Sequence, residues 1–192
     1  MRLRKLTKMQ TINDGSRSLI ESIMSPEVIV ALRDWVRSTK SAAAREAAGV
    51  VIGGLGLSYH CKPRFTQDID LLFLEPGDIP HHVRGFTRTA TGEFRHDRTQ
   101  VEVHVAIPLS VGVPNEIAEH VIRTANRSNG IRVATASGLV MLKLFNLRRV
   151  QDEADVVALI KTGHVDLSGW LLLPDKVNAF RRLVEIAKSD PD

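Results

Sequence analysis

Two aspartates separated by a single residue, Asp68 and Asp70, stand at the start of the apolar run DIDLLFL. Side chains two residues apart on a β-strand project from the same face, so a strand over residues 68–74 places both carboxylates together and buries Ile69 on the other face. Neighbouring carboxylates raise each other's pKa, and a hard divalent cation such as Mg²⁺ relieves their repulsion. The pair is a candidate metal site, and a solvated pair at a strand end is the alternative interpretation.

A third carboxylate, Glu102, belongs to the alternating segment TQVEVHVAIP, residues 99–108. Its valines face one way, while Glu102 and His104 face the other. If this strand lies beside residues 68–74, three acidic groups can hold two Mg²⁺ ions, the arrangement that promotes in-line displacement at phosphorus. His104 is then a candidate contact for substrate or metal. The alternative is that Glu102 is a surface residue of an edge strand.

Paired glycines, Gly53 and Gly54, follow a short predicted strand and precede a predicted helix that runs through Tyr59. Glycine allows the backbone to approach phosphate oxygens closely, and a helix start offers free N–H donors. A plain strand–helix turn is the alternative. A dinucleotide-binding fingerprint is poorly supported, because Tyr59 occupies its third glycine position.

The surrounding pattern predicts an α/β (α+β) fold, with a mixed β-sheet flanked by helices and a helical C-terminal part. We expect a single domain over residues 1–192, with a core at about 48–135 and the helical part at about 136–192. Predicted strands cover residues 50–52, 68–74, parts of 86–108, and 130–135. Predicted helices cover residues 16–40, 55–59, 80–86, 114–125, 136–149, 151–163 and 174–189. Within the first of these, Ser25 is the expected N-cap of a helix with Pro26 at its first position.

Composition narrows the class of protein. The 192 residues are 43% hydrophobic and 25% charged, with a formal net charge of +4, which suits an anionic partner such as a nucleotide or RNA. Only one cysteine, Cys61, is present, so an intramolecular disulfide framework is excluded. No apolar run approaches the length of a membrane span and the basic start lacks a secretory signal, so we expect a cytoplasmic protein without a membrane partner.

The segment GGLGLSYHCKPRFTQDIDLLF resembles the nucleotidyltransferase signature of the polymerase-β-like superfamily, and within it the AbiEii toxin-like and minimal nucleotidyltransferases. That signature is a strand, Gly-Gly, a helix ending in His-Gly, and then Arg-x-Thr-x-Asp-x-Asp. Cys61 stands where the glycine of the His-Gly pair is usual. The seven matching residues are Gly53, Gly54, His60, Arg64, Thr66, Asp68 and Asp70.

The resemblance continues more loosely to about residue 160. Glu102 corresponds to the third acid, as a glutamate where aspartate is usual, and Lys143 to a lysine on a later helix. A basic and acidic cluster follows in the family, and here it is matched by Arg149, Asp152 and Asp155. For Asp152 and Asp155, the alternative roles are helix capping and ion pairing. For Lys143, the alternative is that its apolar stem packs in the hydrophobic core.

The resemblance implies a nucleotidyltransferase fold and a Mg²⁺-dependent enzyme that moves a nucleoside monophosphate from an NTP to an acceptor hydroxyl on RNA, a protein or a small molecule. Two Mg²⁺ ions are expected, with Mn²⁺ as an alternative ion. The implied catalytic and metal-binding residues are Asp68, Asp70 and Glu102. The implied nucleotide-binding residues are Gly53, Gly54, Arg64, Thr66 and Lys143, of which Arg64 and Thr66 would also orient the acidic strand.

Further roles follow from the same resemblance. A toxin of a toxin–antitoxin pair would have an antitoxin protein as a partner. A catalytically inactive relative that binds a nucleotide or a partner protein is the main alternative, because the third acid is a glutamate. A dinucleotide-binding regulator is a weaker one.

Overall fold

A computed structural model describes residues 25–39, 49–61, 66–128, 130–170 and 173–190. These described residues form six α-helices, seven β-strands and one short 3₁₀ helix at Pro76–Asp78. The helices are α1 (Pro26–Ser38), α2 (Gly53–Ser58), α3 (Asn115–Thr124), α4 (Ala136–Phe145), α5 (Val150–Lys161) and α6 (Pro174–Ser189). The strands are β1 (Val50–Val51), β2 (Asp68–Leu72), β3 (Phe86–Arg88), β4 (Phe94–His96), β5 (Glu102–Ala106), β6 (Asn126–Ser128) and β7 (Ile131–Val133).

The strands form one mixed sheet in the order β3-β4-β5-β2-β1-β7-β6. Strands β3, β4 and β5, which lie within the region 86–108 predicted to contain strands, make an antiparallel meander. At the centre, β2 runs parallel to β5 and antiparallel to β1, which in turn pairs in parallel with β7. The predicted mixed sheet flanked by helices is confirmed.

One face of the sheet is covered by α1. Ser25 caps this helix by accepting a hydrogen bond from the Val28 N–H, and Pro26 occupies its first turn, as the sequence predicts. The buried Trp35 packs edge-on against Phe86 and Phe94, with ring centroids 5.2 Å apart in each pair. The part of the predicted helix that precedes Ser25 lies outside the described residues.

The opposite face is covered by the helices that follow the meander. Leu72 of β2 shares this core with Leu139 of α4, Val156 of α5 and Leu183 of α6, all of them buried. Asp68 and Asp70 lie on the same face as Leu72, because alternate residues of a strand point the same way. The helical layer therefore packs on the apolar end of β2 and leaves the carboxylate end partly open to solvent.

Two local predictions are wrong. The helix predicted for residues 80–86 is absent, because Gly85 takes a left-handed conformation (φ +83°) and Phe86 already belongs to β3. Strand β6 was not predicted, since its sequence NRS carries no apolar alternation and it is extended through pairing with β7. Among the described helices, none combines the length and apolar character needed to cross a membrane.

His60 joins the end of α2 to the segment after β7. Its Nε2 lies 2.7 Å from the Ala134 carbonyl oxygen, so this nitrogen carries the proton and donates it. Burial lowers the pKa of His60, and the neighbouring His164 adds to this effect, while the hydrogen bond to Ala134 opposes it. The neutral imidazole is therefore the form that the fold stabilises.

We expect His60 to make the fold sensitive to acid. Because its pKa is lower in the folded than in the unfolded chain, its contribution is complete above the unfolded value of about 6.5 and is lost as the pH falls toward the folded value. Urea unfolding at about pH 7.5 and about pH 5.5 should show a larger loss of unfolding free energy for the wild type than for His60→Gln. Equal losses in the two proteins would contradict this assignment, since the other histidines contribute to both.

Candidate functional site

Parallel pairing of β2 with β5 brings the polar residues of both strands to one face. Asp68 stands opposite Glu102, and Asp70 stands opposite His104. Ile69 and Val103, which alternate with them, are completely buried on the other face. The two strands are thus neighbours, which is the condition that the acidic site required, and their pairing places four ionisable side chains on a single patch of the sheet.

The His104 imidazole lies at the centre of this patch. Its Nδ1 is 3.4 Å from Oδ1 of Asp70 and 3.8 Å from Oδ2 of Asp68, and its Nε2 is 3.5 Å from Oε2 of Glu102. One nitrogen thus faces the aspartate pair and the other faces the glutamate. Sequence reasoning placed His104 on this face, but it assigned the third position of the acidic set to Glu102.

Glu102 stands at the rim of the patch. Its Oε1 accepts a hydrogen bond of 2.8 Å from Nη2 of Arg95, its cross-strand neighbour on β4. This hydrogen bond is the largest influence on Glu102 and holds the pKa of its carboxyl below the usual value. Arg95 was not identified from the sequence, although an arginine directly opposite a glutamate is a common cross-strand pair once β4 and β5 are aligned.

The aspartate pair and the imidazole shift each other's protonation. Burial, followed by repulsion from Asp68, raises the pKa of Asp70. Partial burial works to lower the pKa of His104, but attraction to Asp70 and Asp68 outweighs it and the pKa lies above its usual value. The two aspartates thus favour the charged form of the imidazole.

Thr66 orients the first of the two aspartates. Its hydroxyl donates a hydrogen bond of 2.7 Å to Oδ1 of Asp68, which leaves the other carboxylate oxygen facing His104. This hydrogen bond links the loop before β2 to the first aspartate of the strand. Arg64, the other residue expected in this role, lies outside the described residues.

Gly53 is packed against Asp70. Its backbone is left-handed (φ +61°), and a Cβ atom built on it would overlap the Asp70 carboxylate. Strand β1 is antiparallel to β2, and the Ile52 N–H donates a 3.0 Å hydrogen bond to the Asp70 carbonyl oxygen, which fixes this close approach. Helix α2 begins at Gly53 itself rather than after a two-glycine turn, and Gly54 is buried inside its first turn. The structure thus brings Gly53 to the acidic patch and buries Gly54 in the helix.

Lys143 lies within a buried ion-pair network between α4 and α5. Its Nζ is 3.1 Å from Oδ1 of Asp152 and 2.8 Å from Oδ2 of Asp155, and the side chains of all three are at most 13% exposed. Arg149 also binds Asp152. Burial works to raise the pKa of Asp152, but hydrogen bonds from Arg149 and Lys143 lower it below the usual value. Lys143 also attracts Asp70 electrostatically, so the network borders the acidic patch.

The donor atoms of Asp68, Asp70 and His104 all lie within 4.8 Å of one another. Two carboxylates suit Mg²⁺ and Mn²⁺, and an imidazole nitrogen is more typical of transition metals than of Mg²⁺. The side chains are 44%, 29% and 40% exposed, so the patch is open to a ligand from solvent. The residues present therefore fit a divalent ion.

A separate surface cleft of about 240 Å³ lies between α3 and the loop before α6. Trp170 stacks on His120 in it, with ring centroids 4.1 Å apart. None of the residues that line this cleft belongs to the acidic patch. Its chemistry is mixed, with glutamates and an arginine around the rings, and does not define a ligand.

No protein-family model matches the chain, and no curated protein shows significant similarity to it.

Substituting Gly53 should disturb the patch directly. In Gly53→Ala the new methyl group meets the Asp70 carboxylate and the left-handed backbone is strained, so we expect a loss of about 2 kcal/mol in unfolding free energy. Gly77→Ala is the matched control, since nothing lies within 4 Å of its added methyl group, and it should change stability by less than about 0.5 kcal/mol. Urea unfolding would measure both, and equal effects would contradict the close approach of Gly53 to Asp70.

Removing Lys143 should destabilise the fold through the carboxylates that it leaves behind. In Lys143→Met, Asp152 and Asp155 stay buried with less positive charge, so we expect a loss of about 3 kcal/mol in unfolding free energy. Lys188→Met removes an exposed pair with Glu185 and should cost less than about 0.5 kcal/mol. If calorimetry found the two variants equally stable, Lys143 would not be the main counter-charge of these aspartates.

Proposed function

We propose that the protein is a nucleotidyltransferase of the polymerase-β-like superfamily, with the corresponding nucleotidyltransferase fold. It would move a nucleoside monophosphate from an NTP to an acceptor hydroxyl on RNA, a protein or a small molecule, with release of pyrophosphate. The observation that carries this proposal is the register of β2 and β5, which gathers Asp68, Asp70, Glu102 and His104 on one open face.

Each part of the patch has a role in such a reaction. Asp68 and Asp70 would hold Mg²⁺ or Mn²⁺ with a third group from β5, and the ion would supply charge neutralisation at the phosphates and activation of the attacking hydroxyl. Thr66 keeps Asp68 oriented through its 2.7 Å hydrogen bond. Gly53 allows Asp70 to pack against the backbone, and the positive charge of Lys143 stabilises the anionic surroundings.

These contributions are positioning and electrostatics rather than covalent catalysis. The acceptor hydroxyl must lose a proton as it attacks the α-phosphorus, and the carboxylates of the patch are the nearby bases. Strands β2 and β5 keep these carboxylates in position, because their register is fixed by buried residues on the opposite face of the sheet. A toxin of a toxin–antitoxin pair, working in the cytoplasm with an antitoxin as partner, is one biological setting for this chemistry.

One observation favours a second candidate, a catalytically inactive relative that binds a nucleotide or a partner protein. The Glu102 carboxylate is bound to Arg95 and is not among the three donors that could share one ion. A site without a third carboxylate could bind a nucleotide without turning it over.

Label transfer separates these candidates. Full-length protein would be incubated with each α-³²P-labelled NTP, Mg²⁺ or Mn²⁺, and RNA, protein and small-molecule fractions of a cell extract. We expect label to appear in one fraction and to fall at least about a hundredfold in Asp70→Asn, because the substituted amide removes a metal-binding charge.

Glu185→Gln, which alters an exposed acid on α6, is the control and should keep full transfer. NTP binding measured by calorimetry, without transfer to any fraction, would reject the enzyme and support the binding protein. Transfer that survives in Asp70→Asn would reject this patch as the active site.

A further inference from the structure

Resting on the proposed function, we propose that Asp68, Asp70 and His104 are the metal ligands of this site, and that Glu102 positions the imidazole instead of binding the ion. The third ligand is then a histidine of β5, and the nearby glutamate orients that histidine through its imidazole. It also specifies which ion the site prefers.

The distances around Nδ1 of His104 support its role as a ligand. Donor atoms bound to one octahedral ion at about 2.1 Å lie about 3.0 Å apart when they are at right angles. Nδ1 is 3.4 Å from Asp70 and 3.8 Å from Asp68. A contraction of less than about 1 Å in each of these two distances would bring Nδ1 into the range of a shared ion, without any change in strand register. The donor atoms of the two aspartates lie within 4.8 Å of each other.

The contacts of Glu102 support its role as a positioning residue. Its Oε2 faces Nε2 of His104 at 3.5 Å, on the side of the ring away from the aspartates. Its Oε1 is held by Arg95 at 2.8 Å. A carboxylate that accepts the N–H of a metal-binding histidine fixes its tautomer and ring orientation. With the Nε2 proton directed to Glu102, the Nδ1 lone pair would be available to an ion bound by the aspartates, in place of the contact that Nδ1 makes with Asp70.

The donor set has a consequence for ion choice. Mg²⁺ strongly prefers oxygen ligands, whereas Mn²⁺ and later transition metals accept imidazole nitrogen readily. Two carboxylates and one imidazole therefore favour Mn²⁺ over Mg²⁺. Replacing His104 by aspartate supplies a third carboxylate and should shift this preference toward Mg²⁺.

Calorimetric titration of the full-length protein with MnCl₂ and with MgCl₂, in the presence and absence of a non-hydrolysable NTP, tests the assignment. We expect Mn²⁺ to bind at least about tenfold more tightly than Mg²⁺, and His104→Gln to weaken Mn²⁺ binding at least about tenfold. Glu102→Ala should weaken Mn²⁺ binding by about tenfold. Glu102→Gln keeps an acceptor for the Nε2 proton of His104, so its Mn²⁺ affinity should stay close to that of the wild type. His104→Asp should reduce or reverse the preference of the site for Mn²⁺ over Mg²⁺.

A second readout does not depend on any variant. Mn²⁺ is paramagnetic and its effect falls steeply with distance, so in the wild-type protein substoichiometric Mn²⁺ should broaden the NMR signals of the His104 imidazole more strongly than those of His60. Unbroadened His104 signals, unchanged Mn²⁺ affinity in His104→Gln, or a loss in Glu102→Gln as large as in Glu102→Ala would each overturn the assignment.

These outcomes are distinguishable from failure of the proposed function, because metal binding and label transfer are measured separately. Mn²⁺ binding that depends on His104 without nucleotide transfer supports the ligand set and rejects the enzyme. Transfer that depends on Asp70 but not on His104 retains the enzyme and rejects the ligand set.

Discussion

The parallel pairing of β2 with β5 is the constraint on which the site depends. It sets Asp68 opposite Glu102 and Asp70 opposite His104, while Ile69 and Val103 are completely buried on the other face. A slip of one residue would turn the carboxylates into the core beneath α1 and expose the apolar residues, which is strongly unfavourable. The packing of α1 against the sheet therefore maintains the chemistry of the opposite face, even though α1 contributes no side chain to the patch.

Gathering carboxylates on one face creates a repulsion that the surroundings must balance. The positive groups lie in three positions: His104 between the acids, Arg95 at the solvent edge, and Lys143 on the helical side. The raised pKa of Asp70 shows that this balance is incomplete, because burial and the charge of Asp68 still disfavour its ionised form. A divalent cation would complete it, which gives the proposed metal site a physical reason as well as a set of donors.

The C-terminal helices are connected to this site through charge as well as through apolar packing. Lys143 on α4 pairs with Asp152 and Asp155 on α5, so the lysine that influences Asp70 is itself held by two buried carboxylates. On the other side, Gly53 lets the start of α2 contact Asp70 directly. The carboxylate pair is thus influenced by elements from three parts of the chain, and its geometry depends on the packing of all of them.

The sequence by itself determined the local features of this protein. Alternation in DIDLL and VEVHV predicted which side chains share a face, capping residues predicted α1, and the residues from Gly53 to Asp70 resemble a nucleotidyltransferase signature. Tertiary structure decided that β2 and β5 are neighbours and parallel, that Glu102 pairs with Arg95, and that His104 stands between the acids. It also decided that β6 is a strand and that residues 80–86 are not a helix. The reason is that periodicity acts between residues close in the chain, whereas strand partners and ion pairs are selected by contacts between segments far apart in sequence.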